Sequence, residues 1–143
     1  MKHALIALAL MASPALAEMH KVQMFNRNEH GPMIYDPQYL RIAPGDTVKF
    51  LATQPSHNAA TIDGGIPEGA APFRGNINEE IEVTLTESGH YFIKCTPHYA
   101  MGMVMLIEVT EGEAARPELP EGMPARAVQR FDQIIDAAYD AEP

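Results

Sequence analysis

The sequence predicts an all-β sandwich carrying a C-terminal helix, on three observations. From Met19 to about Thr110, short stretches of alternating apolar and polar residues are separated by turns rich in Gly and Pro; a period of two is the signature of half-buried strands. Composition shifts after Val109 into the polar, proline-containing connector EGEAARPELPEGMP. The closing stretch ARAVQRFDQIIDAAYDA then spaces Val128, Phe131, Ile135 and Tyr139 to share one helix face.

Taken in order, KVQMF alternates, and Tyr39 to Ile42 is a short run ended by the turn residues Pro44, Gly45 and Asp46. TVKFLAT alternates again, with Val48, Phe50 and Ala52 on one face. The segment Gly64 to Gly75 is loop, with room for one helical turn. IEVTLT sends Ile81, Val83 and Leu85 inward and Glu82, Thr84 and Thr86 outward. HYFIKC puts Tyr91, Ile93 and Cys95 on a common face, and MVMLIEV is a strong strand from Met103 to Val109. Several short strands separated by turn signals predict an antiparallel sandwich or barrel. The trailing helix is expected to cover a sheet face, so that residues 112–143 are a connector and helix of the same domain.

Residues 1–17 read as a secretory signal: Lys2, the apolar run Ala4 to Ala12, and a small-x-small end at Ala17. The run is too short to span a membrane, and no later apolar run reaches that length. The expected mature chain, 18–143, is a single soluble, exported domain without membrane insertion, in character with a bacterial periplasm. Ten basic residues against 19 acidic ones give a net charge of −9, and −10 once Lys2 is removed. Such a chain is a poor match for nucleic acid.

Cys95 is the one cysteine, so it makes no internal disulfide. In an oxidising compartment it must be buried, ligated or deliberately reactive. It ends one strand, Met103 begins the next, and seven residues, TPHYAMG, join them. That short loop gathers a thiol, the His98 imidazole and a thioether at one end of a sheet. His57 lies just past the TVKFLAT strand and can come from a second loop at the same end. A thiolate, two imidazoles and a thioether suit copper in its electron-transfer form, whereas a single thiolate suits structural zinc badly. Three plainer readings stay open at this point: a small buried thiol, a Cys–His nucleophilic pair, and a periplasmic copper-delivery or storage site. His20, His30 and His90 read as histidines without partners.

HNAAT followed by CTPHYAMGM resembles the cupredoxin family of small blue-copper proteins, most closely one branch of it. The resemblance covers the expected mature chain. It implies a Greek-key β-sandwich of about eight strands, one copper ion cycling between Cu(I) and Cu(II), and a non-enzymatic role as an electron carrier. It implies His57, Cys95 and His98 as equatorial ligands and Met103, not Met101, as the axial one. Around them it implies Asn58, reaching the sulfur with its backbone N–H and the Cys95 loop with its side chain, together with Thr96, Pro97 and Met33. Pro97 has no N–H to offer the sulfur and stiffens the loop. Docking would use an apolar patch of Pro32, Met33, Pro97, Ala100 and Met101 around His98. The partners implied are a copper nitrite reductase of denitrification or a c-type cytochrome, met transiently by a monomer. That branch rings its patch with lysines; this acidic chain offers Arg27, Arg74 and Lys94 instead.

Overall fold

The computed structural model describes residues 15–141. Eight strands form two four-stranded sheets, followed by one helix. The first sheet runs in the order β2 (Gly31–Asp36), β1 (Met19–Asn28), β4 (Thr47–Leu51), β6 (Ile81–Thr84). The second runs β3 (Tyr39–Ile42), β8 (Val104–Val109), β7 (Gly89–Lys94), β5 (Ala60–Thr61). The helix α1 spans Ala125–Tyr139. Neighbours that are not consecutive in the chain give the sandwich its Greek-key character.

The antiparallel expectation needs correction, because β1 lies parallel to β4 and β3 parallel to β8. Alternation reports which face of a strand is buried and carries nothing about the direction of its neighbour. Strands β2 and β5 also escaped the period-of-two reading. In β2 the consecutive residues Ile34 and Tyr35 are both fully buried, and Met33 sits at φ 48°. Strand β5 has only two residues. The Gly64–Gly75 segment contains turns but no helical turn, and Ala52 falls just past β4. The apolar run Ala4 to Ala12 lies outside the described residues, while Ala15 to Ala17 are exposed and without regular structure. No helix among the described residues is long and apolar enough to cross a membrane.

Strand β8 is buried along its whole length, and its two faces feed two different cores. Met105, Ile107 and Val109 point between the sheets, with Val22, Met24, Tyr35, Val48, Phe50, Tyr91 and Ile93. Val104 and Leu106 point the other way and pack with Phe92 beneath α1, against Ala127, Phe131, Ile134 and Ile135. The helix therefore covers a face of the second sheet. Its buried stripe is rotated slightly from the predicted one, since Ala127 is fully enclosed while Val128 is half-buried. A small residue there lets the helix approach the sheet closely.

Parity also sends Glu108 to the helix side, where it is 0% exposed. Tyr39 donates to its Oε2 at 2.7 Å, Tyr139 of α1 donates to the same oxygen, and Arg41 lies 3.0 Å from Oε1. Burial opposes ionisation of Glu108, but the two tyrosine hydroxyls and the Arg41 charge outweigh it and hold its carboxyl below the usual range. His90 is not partnerless, as its Nε2 meets the Tyr139 hydroxyl at 2.9 Å; nor is His20, whose Nε2 lies 2.9 Å from Asp46 Oδ2.

Phe131→Ala should therefore cost about 3–5 kcal/mol by emptying the centre of the outer core, where Phe131 meets Phe92 edge-on at 5.1 Å. Tyr139→Phe removes only the hydroxyl, a bond to a buried carboxylate, and should cost about 1.5–3 kcal/mol. Urea unfolding of both variants checks the ranking.

Candidate metal centre

The register of β7 and β8 builds the first half of the site. Lys94 pairs with Val104, and one step further Cys95 N–H donates to Met103 O at 3.0 Å, so these two residues face each other across the strand pair. Both continue the inner parity of their strands and both are 0% exposed. Between them the expected loop is a 3₁₀ turn, Thr96–Met101, with Pro97 in its first positions. The turn is braced by its own backbone: His98 N–H donates to Cys95 O (3.2 Å), Gly102 N–H to Tyr99 O (3.0 Å), and Met103 N–H to His98 O (3.2 Å). Gly102 ends the turn at φ 88°, and a Cβ there would come within 2.9 Å of the Arg126 carbonyl on α1. Only glycine fits that combination of left-handed backbone and close approach.

His57 arrives from the segment between β4 and β5 and is also fully buried. Its Nδ1 lies 3.7 Å from Cys95 Sγ and 3.1 Å from His98 Nδ1, and Cys95 Sγ lies 3.4 Å from His98 Nδ1. A metal with bonds of about 2.0 Å to nitrogen and about 2.3 Å to sulfur, at bond angles of roughly 100–120°, holds such donors roughly 3.1–3.8 Å apart. The donor set thus fits a small trigonal site, with the thioether-bearing Met103 buried beside it.

Two residues that the sequence pattern did not single out fix His57. Asn26 Oδ1 lies 2.7 Å from His57 Nε2, so the amide oxygen keeps the proton on Nε2 and leaves the Nδ1 lone pair facing the site. The signal was present in part: Asn26 shares the strand parity of Val22 and Met24, but at the exposed end of β1. Asn78, at φ 67°, brackets His57 by donating its N–H to His57 O (2.8 Å) and accepting from Ser56 N–H (2.6 Å). Burial, then the neighbouring His98, push the His57 pKa down, which favours the neutral imidazole.

Asn58 links its loop to the turn after Cys95. Its Oδ1 accepts from Thr96 N–H (2.7 Å), and its Nδ2 donates to Thr96 Oγ1 and to Gly75 O (3.0 Å each). Its carbonyl accepts from the Tyr35 hydroxyl at 2.7 Å. Burial pushes the Cys95 thiol up, against an opposite pull from the nearby backbone amides of Asn58 and His98. A fully buried thiol with a raised pKa is a poor nucleophile. That disposes of the Cys–His pair as catalytic machinery.

Among the remaining predicted residues, His98 is half-buried and so keeps an outward edge, while Pro32, Pro97, Ala100 and Met101 are exposed, Met101 at 44%. Met33 is half-buried and packs against the inter-sheet core. Arg27 and Arg74 are exposed, whereas Lys94 lies 5.0 Å over the Tyr99 ring. The structure adds Arg130 of α1, which donates to the Pro32 carbonyl at 3.2 Å and ties the helix to this edge.

The profile of copper binding proteins of the plastocyanin/azurin family matches residues 22–110. A pseudoazurin of Paracoccus pantotrophus is 41% identical over 136 residues, covering 95% of this chain and 89% of the relative. A pseudoazurin of Methylorubrum extorquens is 41% identical over 107 residues, covering 74% of this chain and 72% of the relative. The solved pseudoazurin structure from Sinorhizobium meliloti superposes with a TM-score of 0.81 at 38% identity, covering 87% of this chain and 99% of that one.

Asn58→Ala removes three side-chain hydrogen bonds inside a buried region and should destabilise the protein by about 2–3 kcal/mol. Asn26→Ala should leave stability within about 1 kcal/mol and let the His57 tautomer change, which nitrogen chemical shifts of the metal-free protein report directly.

Proposed function

This chain belongs to the plastocyanin/azurin family of copper-binding proteins, among its pseudoazurin members, and we propose that its site is formed by His57, Cys95 and His98 with Met103 as axial ligand. The family are copper-dependent electron-transfer proteins, not enzymes. The observation that carries the assignment is the buried triangle of one thiol and two imidazole nitrogens, with edges of 3.1–3.7 Å. A bound copper ion supplies the one-electron couple; everything else is the work of the chain. Cys95 and Met103 hold their positions because their backbones are hydrogen-bonded to each other and to the turn between them. Asn26 and Asn78 hold His57, and Asn58 ties its loop to Thr96. Donors fixed this firmly serve both oxidation states without rearranging, which is what fast electron exchange needs. The Asn58 amide near the sulfur tunes it, and Pro97 has no N–H to add.

The electron leaves by the outward edge of His98, within an apolar patch of Pro32, Met33, Pro97, Ala100 and Met101. Arg27, Arg74 and Lys94 form the remaining basic rim. Residues 1–17 are a signal removed on export, 18–143 the mature monomeric domain with 112–143 as its connector and helix, and the periplasm its place of work. A copper nitrite reductase is the acceptor that this reading favours, with a c-type cytochrome as the other redox partner. In support stand the similarity to pseudoazurins along almost the whole chain and the exposed apolar residues beside a half-buried histidine.

Anaerobic mixing of the reduced, copper-loaded protein with a copper nitrite reductase and nitrite should give rapid second-order reoxidation. Reoxidation by a c-type cytochrome alone would overturn the choice of acceptor. Cys95→Ser should abolish the intense visible colour, and retention of the colour would refute ligation by Cys95. Met103→Gln should keep copper and lower the reduction potential, whereas Met101→Gln should leave the spectrum nearly unchanged. A larger effect at Met101 would reverse the axial assignment.

A further inference from the structure

At the end of β1 away from Asn26, about 20 Å along the strand at its usual rise, a second polar cluster gathers around Asp46. This carboxylate is 5% exposed and accepts three bonds. Ala43 N–H and His20 Nε2 lie 3.1 and 2.9 Å from Oδ2, and the Glu18 backbone N–H lies 2.9 Å from Oδ1. The Glu18 carbonyl in turn accepts from Thr47 N–H at 2.9 Å, so Glu18 is hydrogen-bonded on both sides where β1 enters the first sheet beside β4. The residues just before it, Ala15 to Ala17, are exposed and irregular, with Leu16 at 87% exposure. The Ala17–Glu18 bond is therefore open to a peptidase, and the nitrogen on its far side is already docked on a buried carboxylate.

We propose that cleavage at Ala17–Glu18 completes the fold, by turning the Glu18 amide into an α-ammonium that ion-pairs with Asp46. The inference rests on the signal reading given under Proposed function. A peptidase that cuts after small residues adds water across the bond; Ala17 departs as a carboxylate, and the Glu18 nitrogen gains a hydrogen and then a proton. A free α-amino group has a pKa of about 7.7–8.0 and is mostly charged at neutral pH. The nitrogen keeps its place and changes only its charge, so a neutral hydrogen bond becomes a charge-assisted one, roughly twice as strong. His20 shares the Asp46 carboxylate, and Arg41 and the Glu18 side chain line the same recess. The Glu18 carboxylate and the His20 ring come within 4.8 Å of the Asp46 carboxylate, while the Arg41 guanidinium pairs with Glu108. The pair fastens the start of β1 to the turn before β4, the two strands that lead to Asn26 and His57 at the metal end. Processing thus strengthens the mature sandwich relative to its precursor.

The test compares two copper-loaded chains beginning at Glu18, one with a free amine and one Nα-acetylated, each also as Asp46→Asn. The acetylated chain keeps the N–H and loses only the charge. Denaturant unfolding should give the free-amine form an unfolding equilibrium constant about five- to tenfold smaller, of the order separating charge-assisted from neutral bonds, and Asp46→Asn should erase the difference. Equal stability of the two Asp46 chains overturns the pairing, as does a difference that survives Asp46→Asn. Mass spectrometry of the exported protein should find Glu18 at its start. A start at any other residue overturns the processing step itself, independently of the unfolding data.

Discussion

The antiparallel pairing of β7 with β8 is the constraint on which the rest of the molecule depends. Its register sets Cys95 against Met103, and its parity turns both toward the space between the sheets. The same strands turn Phe92, Val104 and Leu106 outward, and those residues create the apolar surface that α1 must cover. A one-residue slip would exchange the two faces. It would send the thiol beneath the helix and expose the core side chains, so the stability of the sandwich and the integrity of the site are one property of one strand pair.

The site itself is held by hydrogen bonds more than by packing. Three asparagines share this bracing. Asn26 orients the His57 ring, Asn78 fixes its backbone, and Asn58 joins its loop to the turn beyond Cys95. Asparagine offers both a donor and an acceptor on a short side chain, which suits the joining of two loops that meet at a sheet end. Asn58 is buried, and there an unpartnered polar group would be costly; its side chain has three partners. The donor atoms are consequently brought together by the protein fold, with a geometry that one small ion matches.

Much of this was legible in the residues. Period-of-two stretches and short apolar runs marked six of the eight strands, and strand parity alone predicted that Cys95 points inward. The spacing of Cys95, His98 and Met103 is dictated by one tight turn, so it survives in sequence as a motif. What the sequence hid is of a different physical kind. Pairing direction is a tertiary property, so the parallel β1–β4 and β3–β8 pairs left no trace in alternation. Strand β2 was masked by two adjacent buried residues, Ile34 and Tyr35. Glu108 was not singled out: on β8 it points away from the inter-sheet core, α1 covers it, and Tyr39, Tyr139 and Arg41 meet it there. Asn26 and Asn78 reach His57 from distant parts of the chain, beyond what a local motif records.

The central claim is that a buried thiolate and two imidazoles bind copper as a redox centre. Its most direct test is the visible spectrum of the purified chain beginning at Glu18, recorded as copper(II) is added. One equivalent should produce an intense thiolate-to-copper absorption that bleaches with a mild reductant and returns on reoxidation. A colourless or weakly coloured product, in which Cys95 still reacts with a thiol reagent, would contradict the account.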